Sequence, residues 1–185
     1  MSEARQTQIM EGQREQFAGA LKTIDNDHAY IHDGIMFVAY DKPTILSGEA
    51  VEYAFKTPVV GYVHYRLARI TTSADKVETT IYEDAVYTGG TLLEISNKNR
   101  NSANVSGVVI GKNPTFSNDG TLLPGFSSYL PGIVSGGQRR GGTDGQFDSE
   151  IVLKQDTIYR FVANNGSTAS NVMGINLKWY EELEG

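Results

Sequence analysis

The stretch Val77-Glu78-Thr79-Thr80-Ile81-Tyr82 decides the fold class of this chain. Val77, Thr79 and Ile81 alternate with Glu78, Thr80 and Tyr82, which is the period of a strand with one buried face. Residues 158–163 alternate in the same way. Both segments therefore predict half-buried β-strands.

Strand signals of this kind recur along the chain from Tyr30 onward. The predicted strands are Gly34–Tyr40, Ala50–Lys56, Val60–Thr71, Lys76–Tyr87, Thr91–Ile95, Asn104–Lys112, Ser149–Lys154, Thr157–Ala163 and Asn171–Tyr180. Turn sequences rich in glycine and asparagine separate these runs. Nine short strands at regular spacing predict an all-β chain, and specifically a jelly-roll-type β-sandwich.

The first 27 residues differ from the rest in composition, because they are rich in glutamine and lack strand signals. Met10, Phe17 and Ile24 recur every seven residues, with Leu21 on a neighbouring position, which is compatible with a short amphipathic helix. Such a helix is marginal alone in water. We therefore divide the chain into an N-terminal arm, residues 1–27, and a β-sandwich domain, residues 28–185. The arm is either flexible or becomes ordered against a partner.

Two long loops are candidates for contacts with a partner. Residues 96–102 contain Asn99, Arg100 and Asn101, which suit hydrogen bonding at an interface or around a sugar, or ordinary Asx turns. The segment from Asn113 to Ser149 has a glycine-rich centre that carries Arg139 and Arg140. These arginines either form a solvated loop tip or bind carboxylates of a neighbouring subunit.

Composition excludes several classes of protein. The chain has 185 residues and a mass of 20.2 kDa, with 16 basic and 22 acidic side chains and a net charge of −6. An acidic chain of this kind is not expected to bind nucleic acid or an anionic membrane surface. It contains no cysteine, which excludes disulfides and thiolate ligands. The first residues are polar and no apolar run approaches the length of a membrane span, so we expect neither a secretion signal nor a membrane span, and synthesis in a cytoplasm without export by the usual route.

The histidines do not predict a metal site. His28 and His32 are four residues apart, and on a helix this spacing would place both imidazoles on one face. The neighbouring Tyr30, Ile31 and Gly34 favour an extended segment instead, in which residues four apart lie about 13 Å from each other. Copies of one histidine meeting on a three-fold axis stay an open alternative. We expect no catalytic, cofactor-binding or metal-binding residue, and the protein is predicted not to be an enzyme.

Several stretches of the chain resemble a family of small virion proteins of tailed bacteriophages. They are IHDGIMFVAY (31–40), ISNKNRNSANVSGVVI (95–110), NDGTLLPG (118–125), SGGQRRGG (135–142), SEIVLKQDTIYRFVANN (149–165) and LKWYE (177–181). The resemblance covers most of the chain after residue 28. It implies a jelly-roll protein of the phage head, namely a capsid decoration or cement protein that forms a homotrimer.

The resulting functional hypothesis is structural. The protein is expected to be made in the host cytoplasm, to bind the major capsid protein on the outer surface of the virion, and to stabilise the capsid. Many weakly bound copies would add their contributions through multivalency. The candidate contacts with the capsid or with sister subunits are Met10, Phe17, Leu21, Ile24, Arg100, Arg139 and Arg140. The alternative is a carbohydrate- or receptor-binding module of a tail fibre or spike, and a bound glycan is compatible with either role.

Overall fold

A computed structural model describes residues 26–73, 76–130 and 150–182, and in these ranges the chain forms a β-sandwich. The described part contains fifteen β-strands, one short α-helix and one turn of 3₁₀ helix. This confirms the predicted all-β class. None of the described helices is long and apolar enough to cross a membrane.

The helix α1 spans Asn26–His32, and the 3₁₀ helix spans Pro124–Phe126. The strands are β1 (Met36–Asp41), β2 (Thr44–Ile45), β3 (Ala50–Lys56), β4 (Tyr62–Thr72), β5 (Val77–Glu83), β6 (Val86–Thr88), β7 (Thr91–Leu92), β8 (Ile95–Asn97), β9 (Val109–Lys112), β10 (Thr115–Asn118), β11 (Thr121–Leu122), β12 (Ser128–Leu130), β13 (Glu150–Leu153), β14 (Ile158–Asn165) and β15 (Asn171–Glu182).

The strands form two main antiparallel sheets and a two-stranded ribbon. The front sheet has the order β13-β4-β15-β1-β8, and β2 also pairs with β15. The back sheet has the order β11-β5-β14-β3-β9-β7, and β12 also pairs with β5. Strands β6 and β10 pair with each other and form the ribbon. The long strand β15 therefore lies in the middle of the front sheet, between β4 and β1.

The order of the strands favours the predicted jelly-roll connectivity. The chain passes from β1 in the front sheet to β3 in the back sheet, then to β4 in front and β5 behind. After β12 it crosses again to β13, β14 and β15 in alternation. Repeated crossing between two sheets is typical of jelly rolls. The jelly-roll assignment stays a prediction, whereas the two sheets and their strand orders are observed.

The core lies between the two sheets and is rich in aromatic side chains. Trp179 of β15 is fully buried and packs edge-on against Phe55 of β3, with ring centroids 5.3 Å apart. Phe55 also packs against Tyr65 of β4, and Tyr53 packs against Phe161 of β14. Such pairs contribute beyond the burial of their area. The predicted alternation in β5 is confirmed, since Val77, Thr79 and Ile81 are buried.

Two predictions about the segments outside the long strands are wrong. Residues 28–32 are not extended but belong to α1, because Gly34 ends a helix here rather than starting a strand. The predicted loop from Asn113 to Ser149 contains β10, β11, the 3₁₀ helix and β12; its residues 131–149 lie outside the described ranges. The strands in this segment are too short, at two to four residues, to produce a recognisable hydrophobic period.

The ribbon of β6 and β10 is attached to the outer side of the back sheet by Arg160. The guanidinium of Arg160 forms two bonds to the carboxylate of Glu52, at 2.7 and 3.2 Å, and lies 2.7 Å from Asp119. It also lies near two aromatic rings, 5.2 Å from the centroid of Tyr82 and 4.9 Å from that of Phe116. Glu52 of β3, Asp119 in the turn after β10 and Phe116 of β10 thus all contact the guanidinium of Arg160.

Asn165 connects the loops at one end of the sandwich. Its side chain is fully buried, and its Nδ2 donates to the carbonyls of Ile45, Leu46 and Ala169 at 2.9–3.1 Å. Its Oδ1 accepts bonds from the backbone N–H and the hydroxyl of Ser167. One amide group therefore binds polar groups of two segments, residues 45–46 and residues 167–169.

We expect Asn165→Ala to lower the free energy of unfolding by about 2–3 kcal/mol, because several buried polar groups lose their partner at once. The neighbouring Asn164 is the matched control, since its side chain makes no hydrogen bond within the described ranges. Urea unfolding of both alanine variants measures the difference. Equal losses for the two variants would contradict the role assigned to Asn165.

Candidate functional site

The helix α1 ends in a hydrogen-bonded motif centred on Gly34. The N–H of Gly34 donates to the carbonyl of Ile31, and the N–H of Ile35 donates to that of Tyr30, which is the Schellman pattern. Gly34 has a φ of +70°, and a Cβ atom there would lie 2.3 Å from the hydroxyl oxygen of Ser102. Only glycine fits this position, which turns the chain from α1 into β1.

Aromatic rings attach α1 to the outer face of the front sheet. The ring of Tyr30 in α1 stacks on that of Tyr180 in β15, with centroids 4.0 Å apart and planes within 19° of parallel. The imidazole of His64 in β4 also stacks with Tyr180, at 4.3 Å and 11°. Tyr180 is therefore buried although it points away from the core of the sandwich. The helix covers part of this outer face.

A network of charges surrounds this stack. Asp27 of α1 binds Lys178 at 2.6 Å and Arg66 at 2.8 Å. Glu150 of β13 accepts bonds from the hydroxyl of Tyr180 at 2.7 Å and from Nδ1 of His64 at 2.8 Å, and it lies 3.3 Å from Arg66. Arg66 thus links the two carboxylates. We call these residues, Asp27, Tyr30, His64, Arg66, Glu150, Lys178 and Tyr180, the anchor cluster.

The partners of both carboxylates lower their pKa values. Burial alone would raise the pKa of Asp27, but the hydrogen bond and charge of Lys178, together with the charge of Arg66, hold it below its usual value. Burial likewise acts against Glu150, whereas bonds from Tyr180 and His64 and the charge of Arg66 lower its pKa. Burial and the bond to Glu150 raise the pKa of the Tyr180 phenol. Both carboxylates are therefore held ionised by their neighbours.

The geometry of the anchor cluster indicates a structural role. Asp27 and Glu150 bind cations of β4 and β15, and Tyr180 binds Glu150, so these bonds join α1 and β13 to the middle of the front sheet. Other half-buried carboxylates are used in the same way. Asp41 accepts a bond from Tyr53 and pairs with Lys112, and Glu83 binds Lys154 and Tyr159. Both carboxylates thus pair with a cation and a phenol and join neighbouring segments of the chain.

A polar pocket of about 390 Å³ lies beside the C-terminal end of α1. Its walls are formed by Glu94, by β8 and by the loop of residues 99–106. The side-chain amides of Asn97 and Asn104 both donate to the carbonyl of Gly34, and these bonds hold β8 and the loop next to the end of α1. Two charged side chains line it, Arg100 and Glu94, and neither forms a hydrogen bond or ion pair with any described residue. Their charges are available to a ligand.

Three exposed valines lie on two touching loops at one end of the sandwich. Val59, Val60 and Val105 have exposed fractions of 66, 62 and 88 %. The loops meet closely at Gly107, where a Cβ atom would lie 2.9 Å from the side chain of Pro58. Glu181 holds the loop that carries Val105, because its carboxylate accepts bonds from the hydroxyl of Ser106 and the N–H of Gly107. We call these three valines the valine patch.

The structure describes only one of the residues predicted to contact a partner. Arg100 is exposed and lines the polar pocket. Six other candidates lie outside the described residues, namely Met10, Phe17, Leu21, Ile24, Arg139 and Arg140. Asn99 forms the Asx turn that was the alternative interpretation of its loop, because its Oδ1 accepts a bond from the N–H of Asn101.

Sequence reasoning missed both the anchor cluster and the valine patch. The cluster joins α1, β4, β13 and β15, and no local pattern shows that these segments meet. The valine patch does have a local signal: Pro58-Val59-Val60-Gly61 places two adjacent valines in a turn sequence, where water-exposed polar residues are usual. Among the described residues, no group of three or more His, Asp or Glu is placed to hold a metal ion.

We expect Asp27→Asn to lower the free energy of unfolding by about 1–2 kcal/mol, since it weakens bonds to two half-buried cations. Because the pKa of Asp27 is lowered in the folded state, its contribution is complete above the ordinary value of about 3.9 and is lost as pH falls through the folded value. The difference between wild type and variant should therefore shrink below about pH 4.

Urea unfolding at pH 7, 5 and 3 measures this contribution. Asp156→Asn is the matched control, because Asp156 pairs with Lys56 at 3.7 Å and both side chains are largely exposed. Exposed pairs contribute little, so the control should change stability by less than about 0.5 kcal/mol. A difference for Asp27→Asn that does not depend on pH would argue against the ionic contribution.

Comparison with known proteins identifies no relative: no family model, no curated protein and no solved structure matches this chain. The resemblance to virion proteins of tailed phages therefore stays a prediction.

Proposed function

We propose that this protein is a structural virion protein that binds the outer surface of a phage capsid and stabilises it as a decoration protein. The observation that carries the proposal is the valine patch. Val59, Val60 and Val105 are more than half exposed, and the loop that carries Val105 is held by bonds to Glu181. Exposed apolar side chains that gather at one end of a domain are typical of sites that bind another protein.

The chemistry of the described residues supports a scaffold rather than an enzyme. The half-buried carboxylates Asp27, Asp41, Glu83 and Glu150 are each paired with cations or phenols. These bonds join strands to neighbouring strands, loops and the helix, which supports a structural role for the carboxylates. The proposal includes a homotrimer, in which the arm of residues 1–27 either contacts the capsid or lies between sister subunits.

The size of the patch sets the expected strength of each contact. Full burial of one valine side chain contributes about 1.5–3 kcal/mol, so three valines cannot by themselves give tight binding. A decoration protein does not need tight binding at each point. Linked subunits bind cooperatively, because the first contact raises the effective concentration of the next. A small apolar patch repeated in an oligomer therefore suits this function.

We expect the double variant Val59→Ser/Val60→Ser to bind capsids at least tenfold more weakly, because a loss of 1.4 kcal/mol corresponds to a factor of ten. The test is co-sedimentation with purified phage capsids that lack the protein. Leu46→Ser is the matched control, because Leu46 is 55 % exposed and lies at the opposite end, next to Asn165. Equal binding by wild type and the double variant would exclude the valine patch as the docking surface.

A second candidate function is carbohydrate binding, and the polar pocket favours it. Glu94 and Arg100 offer charged hydrogen-bonding groups, and Ser96 and Ser102 add hydroxyls to the wall. A volume of about 390 Å³ is within the usual range for small-ligand sites. Sugars are recognised by such convergent polar groups, and sugar acids pair with arginine in particular.

If the pocket binds a glycan, we expect Arg100→Ala to reduce the signal on a glycan array at least tenfold while leaving thermal stability unchanged. Arg100 makes no hydrogen bond or ion pair with described residues, so its removal has no structural cost. Lys56→Ala, another exposed cation outside the pocket, is the control. Capsid binding without any glycan signal favours decoration, and the reverse result favours the carbohydrate-binding module.

A further inference from the structure

We propose that His28 and His32 form a two-histidine chelate for a divalent transition metal ion, with copper(II) bound most tightly. Both histidines belong to α1, so their four-residue spacing places them on the same face of the helix. An extended segment would place the two histidines about 13 Å apart, which is too far for one metal ion. The helix removes that objection.

The two imidazoles converge at a distance suited to one metal ion. The Nε2 atoms of His28 and His32 lie 3.0 Å apart, and the ring centroids lie 4.5 Å apart. With metal–nitrogen bonds of about 2.05 Å, this separation corresponds to an angle of about 94° at the metal. A tetrahedral ion would require about 3.3 Å between the nitrogens. The observed distance therefore favours the near-90° angles of tetragonal copper(II) or nickel(II).

Both side chains are available to a metal. They are exposed, and apart from their contact with each other neither imidazole has a hydrogen bond or ion pair with any described residue. His64 differs in this respect, because it binds Glu150 and Glu182 and stacks on Tyr180. Two exposed imidazoles that face each other through the same nitrogen stabilise no other element of the fold. Their contact is a hydrogen bond between the two Nε2 atoms, and a metal ion that replaces the shared proton would be held by both nitrogens.

The helix is held in place without a metal. Asp27 binds Lys178 and Arg66, Tyr30 stacks on Tyr180, and the carbonyl of His32 accepts a bond from the side chain of Asn99. The two ligands are therefore oriented before the metal arrives, which reduces the entropy lost on binding. This preorganisation compensates in part for the small number of protein ligands.

The ligand set determines which ions bind. Imidazole nitrogen suits copper, nickel and zinc, whereas magnesium and calcium prefer oxygen. Among the ions that imidazole suits, the affinity of the site rises from nickel to copper and is lower again for zinc. No group of three ligating side chains gathers in the described ranges, so water or donors from elsewhere complete the coordination. We therefore expect exchangeable binding of one copper(II) ion per chain.

Titration with copper(II) chloride tests the chelate, using the full chain without an affinity tag. Isothermal calorimetry gives affinity and stoichiometry, and electron paramagnetic resonance counts the nitrogens bound to copper. We expect one ion per chain with two equivalent nitrogens. His28→Gln and His32→Gln should each weaken binding at least tenfold, because one imidazole alone loses the benefit of effective concentration. Magnesium chloride should give no heat of binding.

A spacing variant distinguishes a chelate from the mere number of histidines. His32→Gln/Asp33→His keeps three histidines but moves the second imidazole about 100° around the helix axis. We expect it to bind as weakly as His28→Gln. Circular dichroism and thermal unfolding without metal confirm that each variant is folded. Wild-type affinity in the spacing variant, fewer than one ion per chain, or equal affinity in wild type and His28→Gln/His32→Gln would each overturn the proposal.

Discussion

The burial of one face of β15 against the back sheet is the constraint on which the rest of the structure depends. Met173, Ile175, Leu177 and Trp179 point inward from this strand and are almost completely buried. Since side chains alternate along a strand, fixing these four also fixes which residues point outward. Lys178 and Tyr180 must then face away from the core, where they bind α1. A slip of one residue would exchange the two sets and remove both the core and the binding site for the helix.

The outer face of the front sheet is organised by polar and aromatic contacts rather than by a second hydrophobic core. Tyr180 stacks between Tyr30 and His64, and the carboxylates of Asp27 and Glu150 are held by cations on the sheet. A seven-residue helix is too short to be stable by itself. Its stability comes from these contacts and from the hydrogen bonds around Gly34.

Sequence patterns predict the parts of this fold whose signals are local. The period of two in β5 identifies its buried face, and the predicted strand Ala50–Lys56 agrees with β3 at both ends. The predicted strand Lys76–Tyr87 is divided, because Asp84 has a φ of +62° and turns the chain out of the back sheet. A positive φ at an aspartate is a property of the local turn that alternation does not reveal.

The candidate sites were harder to predict because their residues come together only through long-range pairing. The helix α1 had one usable signal, a glycine two residues after its last residue, but Gly34 was interpreted as the start of a strand. That error hid the proximity of His28 and His32. Arg100 is a candidate from sequence because loops rich in asparagine and arginine are recognisable locally, and its contact with a partner stays a prediction. The valines became notable only when their exposure was known.

The position of Arg160 has a consequence for how the chain tolerates change. Its guanidinium binds Glu52 with two parallel bonds, reaches Asp119 with a third nitrogen, and lies near two rings, while its side chain is only 15 % exposed. A lysine would keep the charge but could not form this planar fork or lie flat against the rings. Salt screens the pair with Asp119, whose side chain is 67 % exposed, more strongly than the bonds to Glu52 and the contacts with the rings. At high ionic strength the ribbon of β6 and β10 should therefore stay attached mainly through the contact of Arg160 with Phe116, and a lysine at position 160 should not replace it.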